Sequence, residues 1–268
     1  MPRKKEVEAF MSRQKHITHS KDDVYEILKV LSAYESISRG KDVGISGIIS
    51  RSRFNLVESL VRAAGDNEVM ISFEGGYPDA ERGRTIFSIH EKISTEESGL
   101  SVIEIKLNSK VGHRDILGAL LSLGVKRTMV GDIGIDGFVS YVIVSDDMVD
   151  FITSNLNRVG RASIESSKVL SCGKLNMPKK RFNDKEIVVS SMRSDLILSK
   201  LFKRSRKDVK GDIEKGKVKL NDFMLNAANH CVAETDVVSY KGNGKIKIGE
   251  IKGITKKGNY VLKIKKYV

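Results

Sequence analysis

Between Arg193 and Asn221 the sequence sets basic and hydroxyl side chains at spacings suited to gripping phosphate. Arg206 and Lys210 stand four residues apart with Lys207 nearby, so a helix through this stretch carries all three on its solvent side while Val209 and Ile213 share the buried stripe. Ser205 stands where its hydroxyl can cap that helix, with Asp208 three residues on, a contact worth about 1 kcal/mol. Unpaired N–H groups at the helix start and the positive end of its dipole favour a phosphate beside Arg206. One helix earlier, Ile197, Leu198, Leu201 and Phe202 fall on one face and leave Lys200 and Lys203 three apart on another, with Arg204 next in sequence. Arg193-x-Asp195 opens the run. After Gly216, a helix stop, Lys217, Lys219 and Asn221 alternate with Val218 and Leu220, which predicts a strand with one wet basic face, and Asn221 begins a turn. All these cations, with Ser205 and Asn221, form one candidate surface for a polyanion.

Other stretches invite catalytic readings that their surroundings do not support. His113-Arg114-Asp115 has the order of a kinase catalytic loop, but no DFG follows and no GxGxxG precedes it. His113 is expected to begin a helix at a surface turn, where it and Arg114 can touch RNA or a partner. Gly75-Gly76 lacks the lysine and hydroxyl of a phosphate-cradling GxxxxGK[ST] loop, so it predicts a strained turn fixed by Pro78. Glu74, Asp79 and Glu81 have Arg82 and Arg84 as neighbours, which predicts a local salt-bridge network in place of paired catalytic carboxylates. Cys172 and Cys231 lie far apart without a CxxC, which removes the case for a zinc knuckle or a disulfide framework. No metal or cofactor is expected.

The elements that must position these residues follow from periodicity. Val24, Ile27, Leu28 and Leu31 predict a helix, and Ile48, Ile49, Leu56, Leu60 and Val61 another after Ser46, stopped at Gly65. Val69–Phe73, Thr85–Ile89 and Ser101–Leu107 predict strands of a small sheet. Asp115–Leu123 predicts a helix, Val130–Ile135 and Phe138–Val144 a hairpin turning at Asp136-Gly137, and Met148–Leu156 a further helix. Strands are expected at Asp236–Tyr240, Lys245–Ile251 and Tyr260–Ile264. The fold class is therefore α+β: an N-terminal helical region over 1–66, a central sandwich with an antiparallel sheet over 67–168, a connector over 169–190 holding Lys179, Lys180 and Arg181, and a basic module over 191–268. The central part resembles an RNA-recognition-motif (RRM-like) sandwich without that motif's aromatic stretch.

The chain has 268 residues, 47 Lys plus Arg against 34 Asp plus Glu, and a net charge of +13. Ser191–Val268 holds 19 basic against 8 acidic residues and the rest 28 against 26, so nearly all the excess sits at the C-terminal end. Clustered Lys and Arg gain affinity for nucleic acid by releasing counterions from phosphates, and no basic amphipathic helix with exposed apolar residues argues for a membrane surface. The first residues lack an apolar signal core and no stretch reaches the roughly 18 apolar residues of a membrane helix, so a cytoplasmic protein is expected.

Arg193-x-Asp195, Ser205-Arg206, Gly216-Lys217-Val218 and Asn221 together resemble the S4-like (alpha-L) RNA-binding domain; Asp222 and Thr235 stand where that family commonly has glycine. Phe73-Glu74-Gly75-Gly76-Tyr77-Pro78-Asp79-Ala80-Glu81-Arg82, His113-Arg114-Asp115-Ile116-Leu117-Gly118-Ala119-Leu120-Leu121, Gly124-Val125-Lys126-Arg127 and Gly131-Asp132-Ile133 are similar to the YlmH family. That resemblance implies a bacterial cytoplasmic protein that binds rRNA and tRNA on the large ribosomal subunit, acts in ribosome-associated quality control of stalled nascent chains, and is associated with cell-division genes. It implies no enzymatic activity, and a monomer is expected. Two other functions are weighed. An RNA-modifying enzyme of the pseudouridine-synthase type is opposed by the lack of a Gly-Arg-Leu-Asp stretch or a glycine-rich cofactor loop, and a cell-division scaffold without RNA leaves the C-terminal charge unexplained.

Overall fold

The structure, a computed structural model, describes residues 4–90, 93–174, 177–178, 180 and 182–267. The chain divides into two compact units, Glu26–Lys179 and the pairing of Arg3–Tyr25 with Lys180–Val268. Helix α1 (Lys4–Ser12) and the two-residue strand β1 (Ile17–Thr18) open the chain and belong to the second unit. Among the described residues no helix is long and apolar enough to cross a membrane.

Helix α2 (Lys21–Ser38) enters the first unit at Glu26 and buries Ile27, Val30, Leu31 and Tyr34. Strand β2 (Val43–Ser50) follows, then α3 (Arg51–Ala63), whose first turn is capped by the Ser50 hydroxyl accepting from the Arg53 amide. Strands β3 (Met70–Glu74) and β4 (Arg82–Ser88) complete a three-stranded antiparallel sheet in the order β2-β4-β3. Ile48 and Ile49, expected in a helix, instead face Arg84 and Gly83 across the β2–β4 ladder. Their helical spacing from Leu56 is coincidental: the helix cap stands only at Ser50, after both residues. A Cβ at Gly44 would lie 2.0 Å from the carbonyl oxygen of Ala33, so β2 can pass α2 this closely only with glycine there. The region over 1–66 is thus not purely helical, and β3 and β4 join β2 in a sheet of their own.

The rest of the unit runs β5 (Leu100–Leu107), α4 (His113–Ser122), β6 (Val130–Asp136), β7 (Val139–Ser145), α5 (Val149–Asn155), the short β8 (Arg158–Val159) and β9 (Ala162–Ser171). The sheet order is β6-β7-β5-β9-β8, every pairing antiparallel. Leaving aside β8, this is a β-α-β-β-α-β sandwich with its first and third strands central. Ile103, Ile105 and Leu107 pack on Ile116 and Leu120 of α4 and Ile152 of α5, while Val102 and Ile143, on the opposite face, pack with Ile48 and Cys172. The hairpin turns at Asp136-Gly137 as expected, Gly137 having φ +61°. The stretch 73–82 ties the two sheets together. The Tyr77 hydroxyl donates to Asp132 (2.6 Å), which also accepts from the Glu81 amide (2.8 Å), and the Arg82 guanidinium donates to the carbonyls of Ile48, Arg127 and Val130. Burial, together with the charge and hydrogen bond of Asp132, pushes the Tyr77 phenol well above its ordinary range.

The second unit contains β10 (Phe182–Val189), α6 (Ser194–Phe202), α7 (Arg206–Glu214), β11 (Val218–Leu220), β12 (Phe223–Leu225), β13 (Val237–Tyr240), β14 (Gly244–Ile254) and β15 (Tyr260–Tyr267). Its seven strands follow the order β1-β12-β11-β13-β14-β15-β10. One face of this sheet (Ile187, Val189, Val218, Val238, Tyr240, Ile246, Ile248, Leu262, Ile264) buries against Ile197, Leu198 and Leu201 of α6 and Val209 and Ile213 of α7. The stretch 169–190, expected as a connector, holds the end of β9 and all of β10; Lys179 and Arg181 lie outside the described residues. β10 pairs with β15 from Phe182↔Tyr267 to Val189↔Tyr260, a partner some eighty residues away that local pattern cannot reveal.

Both departures from the S4-like pattern sit in the left-handed region, Asp222 at φ +70° and Thr235 at φ +73°. For a β-branched residue this conformation costs on the order of 1–2 kcal/mol, and glycine pays it back in part through the looser unfolded chain. In α7, Gly211 has open space where a Cβ would stand, so alanine gains about 1 kcal/mol of helix propensity there. Thr235→Gly and Gly211→Ala are each expected to raise the urea midpoint with an unchanged slope, and a lowered midpoint for either would contradict the backbone geometry.

Candidate nucleic-acid interface

The helix-loop-helix of α6 and α7 is built around two buried carboxylates. Asp195 enters the first turn of α6, where the Ser194 amide donates to the His230 carbonyl (2.8 Å) and the Asp195 amide to that of Ala228 (3.0 Å), fixing the helix start. Arg193 reaches the Asp195 carboxylate through Nε and Nη2, both at 3.0 Å, and Arg206, the first residue of α7, through Nε at 3.2 Å and Nη2 at 2.7 Å. The Asp195 side chain is only 6% exposed, against 39% for Arg193 and 51% for Arg206. One buried negative charge thus gathers two half-exposed guanidinium groups. Each spends two of its five N–H donors and keeps three for an external acceptor.

The second centre repeats the pattern. Asp212 in α7 takes Lys217 Nζ at 2.7 Å, Arg204 Nη1 at 3.1 Å and the Tyr240 hydroxyl at 2.7 Å. Its side chain is 8% exposed, while those of Lys217 and Arg204 are 44% and 36% exposed. Burial, with the hydrogen bond to Asp212, pushes the Tyr240 phenol up to about 12. The hydrogen bonds from Lys217 and Tyr240 hold the Asp212 carboxyl below the ordinary carboxylate range. At Asp195, burial works to raise the pKa but is outweighed by the hydrogen bonds and charges of Arg193 and Arg206, so this carboxyl too titrates low. Each centre carries two cations per carboxylate and stays net positive.

Around these centres Lys200, Lys203 and Lys207 are exposed and, among the described residues, have no carboxylate partner. Lys203 ends α6 in the left-handed conformation, φ +52°. Lys210, one turn beyond Arg206, is exposed with a long 3.9 Å contact to Glu214, too solvated to neutralise it. Ser205 caps α7 as expected, its hydroxyl accepting from the Asp208 amide at 3.0 Å.

Four expected site residues are placed differently. Asn221, at φ +49°, donates to Asp236 (2.7 Å) and accepts from the Val237 amide (2.9 Å), so its amide fastens the β11–β12 turn to β13. Lys219 does not join the helical cluster. Val218 and Leu220 point into the core beneath α6 and α7, and the two-residue period of a strand sends Lys219 out through the opposite face of the sheet. His113 and Arg114 belong to the other unit, exposed on the first turn of α4, where the Asp115 carboxylate accepts from the Gly112 amide at 2.8 Å. Sequence reading missed the organising roles of Asp195, Asp212 and Tyr240. The signal present was the Arg193-x-Asp195 pair, but Arg206, eleven residues on, becomes a partner only once the helices fold back.

Among the described residues no group of three or more His, Cys, Asp or Glu side chains is placed to hold a metal ion. Cys172 is buried, which pushes its thiol up to about 11, and Cys231 is exposed.

Comparison with known proteins places these features in context. A family model described as "Putative RNA-binding domain in YlmH" matches residues 94–171, the five-stranded sandwich of the first unit. That segment holds 8 basic against 10 acidic residues, and the strand face away from α4 and α5 carries Glu104, Lys106 and Tyr141. A Bacillus subtilis (strain 168) protein named "Ribosome-associated protein quality control protein P2" is 33% identical over 206 residues, covering 75% of this chain and 79% of that protein. The solved structure titled "Cell division protein ylmH from Streptococcus pneumoniae" matches with a TM-score of 0.49 and 16% identity, over 57% of this chain and 93% of that one.

Asp195 carries a checkable pH signature. A carboxyl whose pKa is lowered by folding stabilises the native state fully above its unfolded value of about 4, and this contribution is lost as pH falls through the lower folded value. Asp195→Asn is expected to cost roughly 1–2 kcal/mol at neutral pH, with the gap to the parent protein closing below about pH 4. A gap of constant size across the acid range in chemical denaturation would contradict the two-arginine arrangement.

Proposed function

This chain belongs to the YlmH family, and we propose that it is a non-enzymatic RNA-binding factor of the ribosome, acting on rRNA and tRNA at the large subunit during quality control of stalled nascent chains. The relative's name supports the ribosomal setting, and the family model's description supports RNA as ligand. The observation that carries the reading is the pair of buried carboxylates, each fixing two cations on the helix-loop-helix. Structured RNA is recognised largely through its phosphates, 2′-hydroxyls and shape, and cations fixed by buried anchors meet such a ligand with little ordering cost.

In this reading Arg193, Arg204, Arg206 and Lys217 form the fixed part of the surface, and Lys200, Lys203, Lys207 and Lys210 adapt to the backbone around it. Ser205 and Asn221 act on the protein side, holding the helix start and the turn. The sandwich over 94–171, with its slight acidic excess, contributes contacts by shape and hydrogen bonding more than by charge, with His113 and Arg114 available at its α4 turn. The low-acceptor, high-donor chemistry of the helical surface gives affinity without strong sequence preference.

Arg206→Ala combined with Lys207→Ala is expected to abolish co-sedimentation with ribosomes at moderate salt, and affinity of the parent protein for structured RNA is expected to fall steeply with ionic strength. Retained co-sedimentation by the double variant would overturn the assignment of this surface.

A further inference from the structure

Lys219, expelled from the helical cluster, starts a row of side chains on the other face of the C-terminal sheet. The register pairs Lys219 with Ser239, and Ser239 with Lys245. The Lys245 ammonium lies 4.7 Å from the centroid of the Tyr267 ring, and Tyr267 pairs with Phe182. Those two rings meet edge to face at 4.9 Å, and Phe182 is 37% exposed. Two residues along each strand, a second row reads Val237, Lys247, Lys265 and Asp184. Lys265 Nζ stands 5.6 Å over the Phe182 ring. Both rows point away from the core, because Ile246, Ile248, Leu262 and Ile264 alternate with them and are buried.

The chemistry of this face differs from that of the helical surface. Two of its acidic residues, Asp184 and Glu186, sit at the β10 edge and are taken by Lys263 (3.1 Å) and Lys252. Next to these ion pairs a lysine array stands beside a pair of aromatic rings already covered by ammonium groups. An exposed Phe182 with a half-buried Tyr267 beside it is poor protein surface unless something stacks on the pair, and a lysine over a ring is exchangeable. A nucleobase can take its place on the π-face while the ammonium moves to the adjoining phosphate. A duplex offers no free base to such a face, whereas a single strand offers both bases and backbone.

We propose that the outer face of this sheet is a second RNA-contact surface, at which Tyr267 and Phe182 stack the bases of a single-stranded segment while Lys219, Lys245, Lys247 and Lys265 follow its phosphates. The inference rests on the reading of the chain as an RNA-binding protein and adds to it a distinct face and a distinct RNA class. The two faces lie on opposite sides of one sheet, so a single structured RNA can engage the helices while its unpaired extension is held behind them, or two RNA segments can be held at once.

The test uses the full chain with an RNA hairpin, blunt or bearing a single-stranded uridine extension of about eight nucleotides. The extended hairpin is expected to bind the parent protein roughly tenfold or more tightly than the blunt one. Phe182→Ala with Tyr267→Ala should remove that difference and leave blunt-hairpin affinity unchanged. Lys245→Gln with Lys247→Gln, at partly exposed positions outside the core, should lower the salt dependence of extension binding by about two phosphate equivalents, and serves as the check should the aromatic variant fold poorly. An extension that adds nothing to the parent protein, or an advantage that survives both double variants, overturns this proposal while leaving the helical surface standing. Failure of the parent protein to bind either RNA overturns the broader RNA-binding reading instead.

Discussion

A carboxylate buried between two arginines is the interaction on which the C-terminal unit turns. Asp195 stands at the start of α6, Arg206 at the start of α7, and Arg193 just ahead of both, so the triad ties the start of α7 back to the start of α6. Two guanidinium groups brought this close would repel each other in the absence of the anion, and the anion would be too costly to bury without them. The arrangement leaves a net positive charge with donors facing solvent. Asp212 does the same one helix further on with Arg204 and Lys217, and binds Tyr240 in addition, which links the basic surface to the hydrophobic core. A surface of lysines alone could supply the same charge, but each would have to be ordered on binding; here the ordering is largely completed by folding.

The strand period then divides the unit's charge between two faces. Alternation sends the apolar residues of β11, β13, β14 and β15 inward against the helices and the lysines between them outward. A protein with its basic excess confined to one module can in this way present two chemically distinct surfaces: one rich in arginine, fixed and suited to a folded backbone, the other rich in lysine, flexible and interleaved with aromatic rings. The sandwich of the first unit has neither property. It has a slight acidic excess, and the Tyr77, Asp132 and Arg82 contacts tie its sheet to the three-stranded one.

Much of this was legible wherever the deciding interaction is short in sequence. The Ser205 cap, the α6 and α7 stripes, the Asp136-Gly137 hairpin and the left-handed glycine at the end of α7 all depend on residues within one turn of each other, and each stands where the sequence reading sets it. The misplaced elements depend on distant partners. β2 is a strand because β4 lies beside it, β9 because β5 does, and β10 because β15 returns to it. For Lys219 the basic face of the strand is legible in the sequence, but the side of the sheet on which α6 and α7 pack is not. Asn221 carries the right residue type for a ligand contact, yet the turn it makes consumes its amide.

Net charge and organisation make opposite forecasts for one substitution, so RNA affinity of Asp195→Asn tests the account most directly. If the buried carboxylate serves to fix Arg193 and Arg206 for the ligand, its neutralisation weakens binding of a structured RNA even though a negative charge has been removed from beneath a basic surface. Tighter binding by this variant, folded and measured at the same salt, would contradict the account.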